Sequence, residues 1–142
     1  MEWQDGEYTI STDPDRIDRA AVRRFLAASY WAPDRTAEVI ERSLANSVTF
    51  GLFHGVVQVG MARVVTDYAT FAWLCDVFIE PAHRGSGRGK WLMAVVMGHP
   101  SLHGLRRWLL ATRDAHGLYA QFGFTELPEP QRFMVRQGDG AR

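Results

Sequence analysis

The spacing of apolar residues along the chain predicts alternating strands and helices. Short apolar, β-branched runs indicate strands, and apolar residues three or four positions apart indicate helices. The predicted strands cover residues 7–11, 48–54, 56–65, 70–79, 105–111, 122–127 and 132–136. The predicted helices cover 14–28, a segment that begins at Asp34, and residues 87–97 and 115–121. The pattern therefore predicts an α/β chain with about seven strands and four helices, in the order β-α-α-β-β-β-α-β-α-β-β.

Two helix starts carry local signals. Asp13 precedes Pro14, which suits an N-cap followed by proline at the first helical position, where a missing N–H costs nothing. Pro33 breaks the chain after the first helix, and Asp34 can cap the second. We expect helices to begin at both aspartates.

Size and charge exclude several classes of protein. The 142 residues are predicted to form a single domain, 1–142, with a frayed tail from about residue 137. The 16 basic and 16 acidic residues cancel, so nothing suggests a nucleic-acid or membrane partner. The chain is expected to act on a small molecule.

The number of cysteines and the N-terminal segment indicate the cellular compartment of the protein. Cys75 is the only cysteine, so an internal disulfide is excluded and a reducing compartment is expected. The polar segment 1–6 does not resemble a signal peptide, and no apolar run reaches the length needed to span a bilayer. These features predict a cytoplasmic protein.

A glycine-rich segment follows the apolar strand 70–79 and precedes the third helix. Glycine alternates there with polar and basic residues: Arg84, Gly85, Ser86, Gly87, Arg88, Gly89 and Lys90. Such a loop can turn successive backbone N–H groups inward, and the helix that follows directs its positive end at the same point. The segment is predicted to bind phosphate.

The spacing decides between the known phosphate loops. A P-loop would need Ser or Thr after Gly89-Lys90, but Trp91 follows. A dinucleotide fingerprint would need glycine three residues after Gly87, where Lys90 stands. The pattern that fits is Arg-x-x-Gly-x-Gly, which starts at Arg84. It resembles the pyrophosphate loop of the GCN5-related N-acetyltransferase (GNAT) superfamily.

A second segment carries the same resemblance. GNAT enzymes have the motif N-x-x-A-x-x-L-Y-x-x-x-G-F near this position, and the chain supplies Ala115, Leu118, Tyr119, Gly123 and Phe124. It departs from the motif at Thr112, which replaces the asparagine. The resemblance covers nearly the whole chain and implies the GNAT fold, a mixed central sheet flanked by four helices.

The resemblance implies acetyl-CoA as co-substrate and no metal. The pyrophosphate would lie in the segment 84–90, with every residue of that segment a candidate contact. The pantetheine arm would pair with free backbone groups of the central strand, as a peptide adds to a sheet edge. The strand residues implied are Val77, Phe78 and Ile79.

The resemblance also implies a catalytic centre. Tyr119 occupies the position that faces the CoA sulfur and is the candidate general acid, with a packed aromatic residue as the alternative. Asp76 is a candidate base beside the thioester, or else a structural carboxylate bonded to its surroundings. His116 and a chain of waters remain alternative routes for the amine proton.

The acceptor pocket is expected between the turn after the first helix and the turn before the central strand. Tyr30, Trp31 and Asp67 lie there and could hold a cationic amine, or could be ordinary core and turn residues. The predicted function is acetylation of a primary amine of a small molecule. Acetylation of a protein N-terminus or lysine, and a silent CoA-binding module, are alternatives, and a homodimer is left open.

Overall fold

The sheet and its helices follow the predicted order along most of the chain. The computed structural model describes residues 1–140; residues 141–142, the end of the predicted frayed tail, lie outside the described part. The strands are β1 (Glu2–Asp5), β2 (Tyr8–Ser11), β3 (Val48–His54), β4 (Val57–Thr66), β5 (Phe71–Ile79) and β6 (Arg107–Leu109). The helices are α1 (Arg19–Ala27), α2 (Ala37–Ala45), α3 (Arg88–Met97) and α4 (His116–Ala120). None of the helices within residues 1–140 has the length and apolar character needed to cross a membrane.

The six strands lie side by side in chain order, and the last pair differs from the others. All neighbours are antiparallel except β5 and β6, which run parallel and pair only from Phe71 to Trp73 on β5. Strand β5 continues to Ile79, whereas β6 ends at Leu109. The β6 side of β5 beyond Trp73 is therefore an open sheet edge inside the fold.

The sheet separates two apolar clusters. Met61 and Ala62 are neighbours on β4, so their side chains point to opposite faces of the sheet. Met61 packs in a cluster with residues of α1 and α2, among them Phe25 and Ile40. Ala62 packs in a cluster with Leu92, Met93 and Val96 of α3 and Tyr119 of α4. Helices α1 and α2 thus cover one face, and α3 and α4 cover the other.

Both predicted helix starts are displaced toward the C-terminus. Asp13 caps only a short 3₁₀ turn, Pro14–Arg16, because the buried Ile17 then adopts an extended conformation. Helix α1 begins two residues later, where the Asp18 carboxylate accepts the N–H groups of Ala20 and Ala21. Helix α2 is capped by Thr36, two residues after the predicted Asp34.

The strand prediction was wrong at both ends of the chain. Strand β1 was missed, and residues 122–127 and 132–136 form no strand, so the sheet has six strands instead of seven. The N–H groups of Phe122, Gly123 and Phe124 bond back to carbonyl groups of α4 and are not available to a sheet. Pro128 and Pro130 then interrupt the chain, and a 3₁₀ turn occupies Pro130–Arg132.

Candidate active site

Strand β5 contains a bulge at its centre. Met61 of β4 pairs with Phe78, but Arg63 pairs with Cys75, so the single residue between them on β4 faces both Asp76 and Val77. Asp76 has a φ of 51°, a left-handed conformation that few residues other than glycine adopt. Backbone strain of this kind persists only where the surroundings fix it.

Three side chains fix the Asp76 carboxylate. Trp31 Nε1 donates to Oδ1 at 2.8 Å, and Arg35 Nη1 and Arg63 Nε both donate to Oδ2 at 2.8 Å. Burial alone would raise the pKa of Asp76, but the charge and hydrogen bond of Arg63, together with Arg35 and Trp31, outweigh it and hold the pKa below its usual range. Asp76 is therefore a buried anion with both oxygens engaged.

A cleft opens where β5 and β6 diverge. Its volume is about 420 Å³, and residues of β4, β5, the segment before α2, the β6–α4 loop and α4 surround it. The lining includes Tyr119, Asp76, Val77, Tyr30 and Trp31, which the sequence singled out. Five predicted site residues thus meet at one cleft.

Tyr119 enters the cleft from α4. The motif position Thr112 accepts the Ala115 N–H through its hydroxyl at 3.1 Å and so orders the turn before this helix, as an asparagine side chain could. The ring of Tyr119 packs edge-on against Phe124, with centroids 6.1 Å apart. Its hydroxyl has no hydrogen-bond partner among residues 1–140, and burial raises the pKa of Tyr119 to about 12. The phenol is protonated at neutral pH and available to a ligand.

Tyr30 and Arg113 connect the two sides of the cleft. The Tyr30 hydroxyl accepts the backbone N–H of Arg113 at 2.9 Å, and the Arg113 guanidinium lies 3.8 Å from the centre of the Tyr30 ring. Tyr30 also packs edge-on against Trp31, with centroids 5.1 Å apart. The two predicted aromatic residues therefore form one wall of the cleft.

Asp67 is not brought to this wall. It lies in the β4–β5 turn, where its carboxylate accepts the N–H groups of Ala69, Thr70 and Phe71 and the Thr70 hydroxyl. These hydrogen bonds, led by that of the Thr70 hydroxyl, hold the pKa of Asp67 well below its usual range. Asp67 is absent from the described lining of the cleft and stabilises its own turn.

The glycine loop joins the end of β5 to α3. Gly85 and Gly87 both have φ of 83°, and Gly87 is the residue immediately before α3. A side chain at either position would be strained, which explains glycine there. The first turn of α3 carries free N–H groups and the positive end of the helix dipole, so the loop suits an anion.

The three cations of the loop differ in their present partners. Arg84 Nε donates to the Ile79 carbonyl at 2.6 Å. Arg88 Nη1 bonds to Asp5 at 2.9 Å, with its guanidinium 4.0 Å from the centre of the Tyr8 ring. Lys90, the only lysine of the chain, is exposed and has no ion pair among the described residues. It is the cation most available to a phosphate.

Sequence reasoning missed the two arginines bound to Asp76. A signal existed for Arg63, because it is a charged residue in the middle of an otherwise apolar strand and needs a buried partner. Asp76 is the matching charge in the next strand. Nothing in the local sequence connects Arg35 to the cleft, because its contact depends on the path of the chain between α1 and α2.

Cys75 and His116 take no evident part in the site. Cys75 lines the cleft, but burial raises the pKa of its thiol to about 11, so it is protonated at neutral pH. His116 is exposed and is not among the residues described as lining the cleft. Within residues 1–140, no group of three His, Cys, Asp or Glu side chains is arranged to hold a metal.

Comparison with known proteins identifies the family. The family described as the acetyltransferase (GNAT) domain matches residues 46–126. A candidate acetyltransferase from Gibberella zeae is 33% identical, over 84% of this chain and 79% of its own. The crystal structure of a candidate GNAT-family acetyltransferase from Xanthomonas campestris is 48% identical, with a TM-score of 0.89 over 92% of this chain and 93% of its own.

More distant structures share the fold. A predicted acetyltransferase from Clostridium acetobutylicum, crystallised with acetyl-CoA, is 15% identical, with a TM-score of 0.67 over 92% of this chain and 94% of its own. The chain belongs to the GNAT acetyltransferase family and is an acyltransferase of that class. The family and fold expected from the two motifs are confirmed.

Substitution of Asp76 by Asn tests whether this carboxylate is structural or basic. The geometry favours the structural alternative, so Asp76→Asn should lower stability by about 3 kcal/mol, since it leaves two guanidinium groups without their anion. For a chain of this length we expect a fall in melting temperature of roughly 10 °C. The pH–rate profile of the remaining activity should be unchanged. Asp114→Asn, which alters an exposed carboxylate of the same cleft, is the control.

The stabilisation provided by the Asp76 carboxylate should decrease as the pH falls. The pKa of Asp76 is lower in the folded chain than the ordinary 3.8, so the unfolded chain takes up the proton first as the pH falls. The difference in melting temperature between wild type and Asp76→Asn should be full at neutral pH and shrink below about pH 4. A stable variant whose activity falls at pH 7 and recovers at high pH would instead identify Asp76 as the base.

Proposed function

We propose that the protein transfers the acetyl group of acetyl-CoA to a primary amine of a small molecule by direct attack, with Tyr119 as the general acid. The observation that carries the proposal is a protonated phenol without a partner in the described residues, in a cleft beside the open edge of β5. The glycine loop, whose geometry suits an anion, lies between that strand and α3. The acetyl-CoA in the Clostridium acetobutylicum structure supports the choice of co-substrate.

The co-substrate would follow the strand into the cleft. Its pyrophosphate would bind the N–H groups of residues 85–90 and the ammonium of Lys90. Its pantetheine amides would pair with the backbone of Val77, Phe78 and Ile79, on the side of β5 that β6 leaves free. The thioester would then lie near the bulge, where strand N–H groups near Val77 can polarise its carbonyl.

The reaction needs one bond formed and one broken. The amine nitrogen attacks the thioester carbon, and the tetrahedral intermediate collapses with cleavage of the C–S bond. Tyr119 donates a proton to the departing sulfur, and the proton lost by nitrogen leaves to solvent, from which the phenolate is reprotonated. Because the pKa of Tyr119 is about 12, above that of an ordinary thiol at about 8.5, donation is expected only as charge develops on sulfur.

Removal of the amine proton does not require Asp76. Both of its oxygens accept hydrogen bonds, and its lowered pKa makes it a weak base. His116 is exposed, outside the described lining of the cleft. We therefore assign proton removal to water in the open cleft, the third of the alternatives that the sequence left.

Tyr119→Phe tests the general acid. Turnover should fall by about 10²-fold, because general acid catalysis contributes at least that much, while the affinity for acetyl-CoA measured by calorimetry stays the same. Tyr68→Phe removes a hydroxyl from an exposed residue of the β4–β5 turn and is the matched control. Wild-type turnover in Tyr119→Phe would make this residue a packed aromatic only.

Lys90→Glu tests the loop. The carboxylate would lie in the first turn of α3, where it stabilises the helix by interaction with the dipole, yet it should repel the pyrophosphate. We expect acetyl-CoA affinity to fall tenfold or more by calorimetry, with an unchanged or slightly raised melting temperature. Arg23→Glu makes the same change in net charge at an exposed position of α1 and should leave the affinity for acetyl-CoA unaltered. Equal affinities for the two variants would contradict binding at this loop.

A screen separates the enzyme from its alternatives. Small amines, a peptide with a free N-terminus and a lysine peptide would be incubated with acetyl-CoA, and thiol release measured. Release with small amines supports the proposal, and release with peptides alone would favour a protein acceptor. Tight acetyl-CoA binding without release for any amine would indicate a CoA-binding module.

A further inference from the structure

Guanidinium groups outnumber carboxylates in the lining of the cleft. The cations are Arg35, Arg63 and Arg113, and the anions are Asp76 and Asp114. The excess of positive charge is confined to the cleft, because the whole chain has no net charge. An excess of positive charge is unexpected in a site for a purely cationic amine.

Each carboxylate that could bind an ammonium group either already accepts several hydrogen bonds or is exposed to solvent. Asp76 accepts bonds from Trp31, Arg35 and Arg63. Asp67 is bonded within its own turn, away from the described lining. Asp114 is largely exposed, with Arg113 Nη2 at 4.0 Å. A cationic acceptor would therefore meet guanidinium groups and no buried carboxylate that is free to bind it in the described lining.

The same arginines keep donors that their present bonds do not use. Arg35 bonds to Asp76 through Nη1, which leaves Nε and Nη2 without a partner in residues 1–140. Arg63 uses Nε for Asp76 and holds Ser47 Oγ at 3.4 Å through Nη1, which leaves Nη2. None of these three nitrogens is among the buried unpartnered atoms of the described residues, so solvent reaches them. Planar guanidinium donors suit an oxyanion.

We propose that the acceptor is an acidic amine, one whose molecule carries a carboxylate or phosphate that binds the free donors of Arg35 and Arg63. This inference rests on the proposed acetyl transfer and specifies its substrate class. Asp76 positions the two guanidinium groups, and the bound oxyanion supplies the second negative charge that the pair lacks. Tyr30 and Trp31 form the apolar wall for the body of the molecule, and Arg113 lies over Tyr30 at the same wall.

The size of the cleft limits the acceptor. The volume of about 420 Å³ must also hold the end of the pantetheine arm and the acetyl group. A molecule of amino-acid size fits that space, so the proposal favours an amino acid or a short aminoalkyl phosphate over a long polyamine.

Matched acceptor pairs test the proposal. Amino acids would be compared with their own amides, and phosphoethanolamine with ethanolamine, with each rate expressed per unprotonated amine, because removal of the oxyanion also changes the basicity of the amine. Spermidine would represent cationic amines. We expect kcat/KM of at least one acid to exceed that of its neutral partner tenfold or more. The preferred pair distinguishes carboxylate from phosphate, and a preference for amides or spermidine would overturn the inference.

Arginine variants connect the preference to the cleft. Arg35→Gln should reduce the acid-to-neutral ratio of kcat/KM at least tenfold, mainly through KM of the acid. The ratio is measured within one variant and so is independent of how much of it is folded. Arg113→Gln removes the third positive charge of the lining at an exposed residue, so it should reduce the ratio at least threefold through weaker attraction of the anion, and it is the test variant if Arg35→Gln does not fold. Arg42→Gln, on the exposed side of α2, should leave the ratio unchanged.

Direct binding separates this inference from the proposed transfer. The same acids and neutral amines would be titrated into the CoA-bound protein by calorimetry. Tighter binding of an acid, lost in Arg35→Gln, would support the acidic site even if no acetyl transfer were observed. Acetylation of amines without any preference for acids would uphold the transfer and contradict the acidic site. Absence of acid binding together with absence of transfer would also overturn the inference.

Discussion

The buried charge cluster around Asp76 is the constraint on which the site depends. The bulge gives this residue a left-handed backbone, and two guanidinium groups and an indole hold its carboxylate in place. Removal of the Asp76 carboxylate would leave two guanidinium groups without their anion in the fold, which is costly. The cluster joins β4, β5 and the segment before α2 at one point. The course of β5 next to the cleft is thereby fixed.

The course of β5 determines the positions of the other parts of the site. Its pairing with β6 stops at Trp73, so the β6 side of the strand is free along the cleft as far as its end at Ile79, where the chain leads to the glycine loop. Tyr119 of α4 lies on the face of the sheet opposite to α1 and α2. It packs there in the same apolar cluster as the residues of α3. An anion site, an open strand edge and a buried phenol therefore lie in sequence along one path. That arrangement suits a long co-substrate with a phosphate at one end and a thioester at the other.

Local sequence patterns predicted most of the fold, and long-range contacts account for what they missed. The central strands and α3 follow from periodicity and from glycine at Gly87. The segment 122–136 has apolar residues of strand type, but the N–H groups of residues 122–124 bond to the end of α4, and prolines interrupt the chain after them. For the site, two motifs indicated the loop and Tyr119. The role of Arg35 depends on a contact 41 residues along the chain, which no local pattern encodes.

Amide hydrogen exchange, measured with and without acetyl-CoA, shows whether the ligand lies along the free edge of β5 and in the glycine loop. We expect slower exchange on binding in two segments, residues 77–79 and 85–90. The small groove near Ala45–Val48 and Tyr68, on another part of the surface, should show no change and provides an internal reference. Protection confined to that groove, or absent from β5 and the loop, would show that acetyl-CoA does not bind along this path.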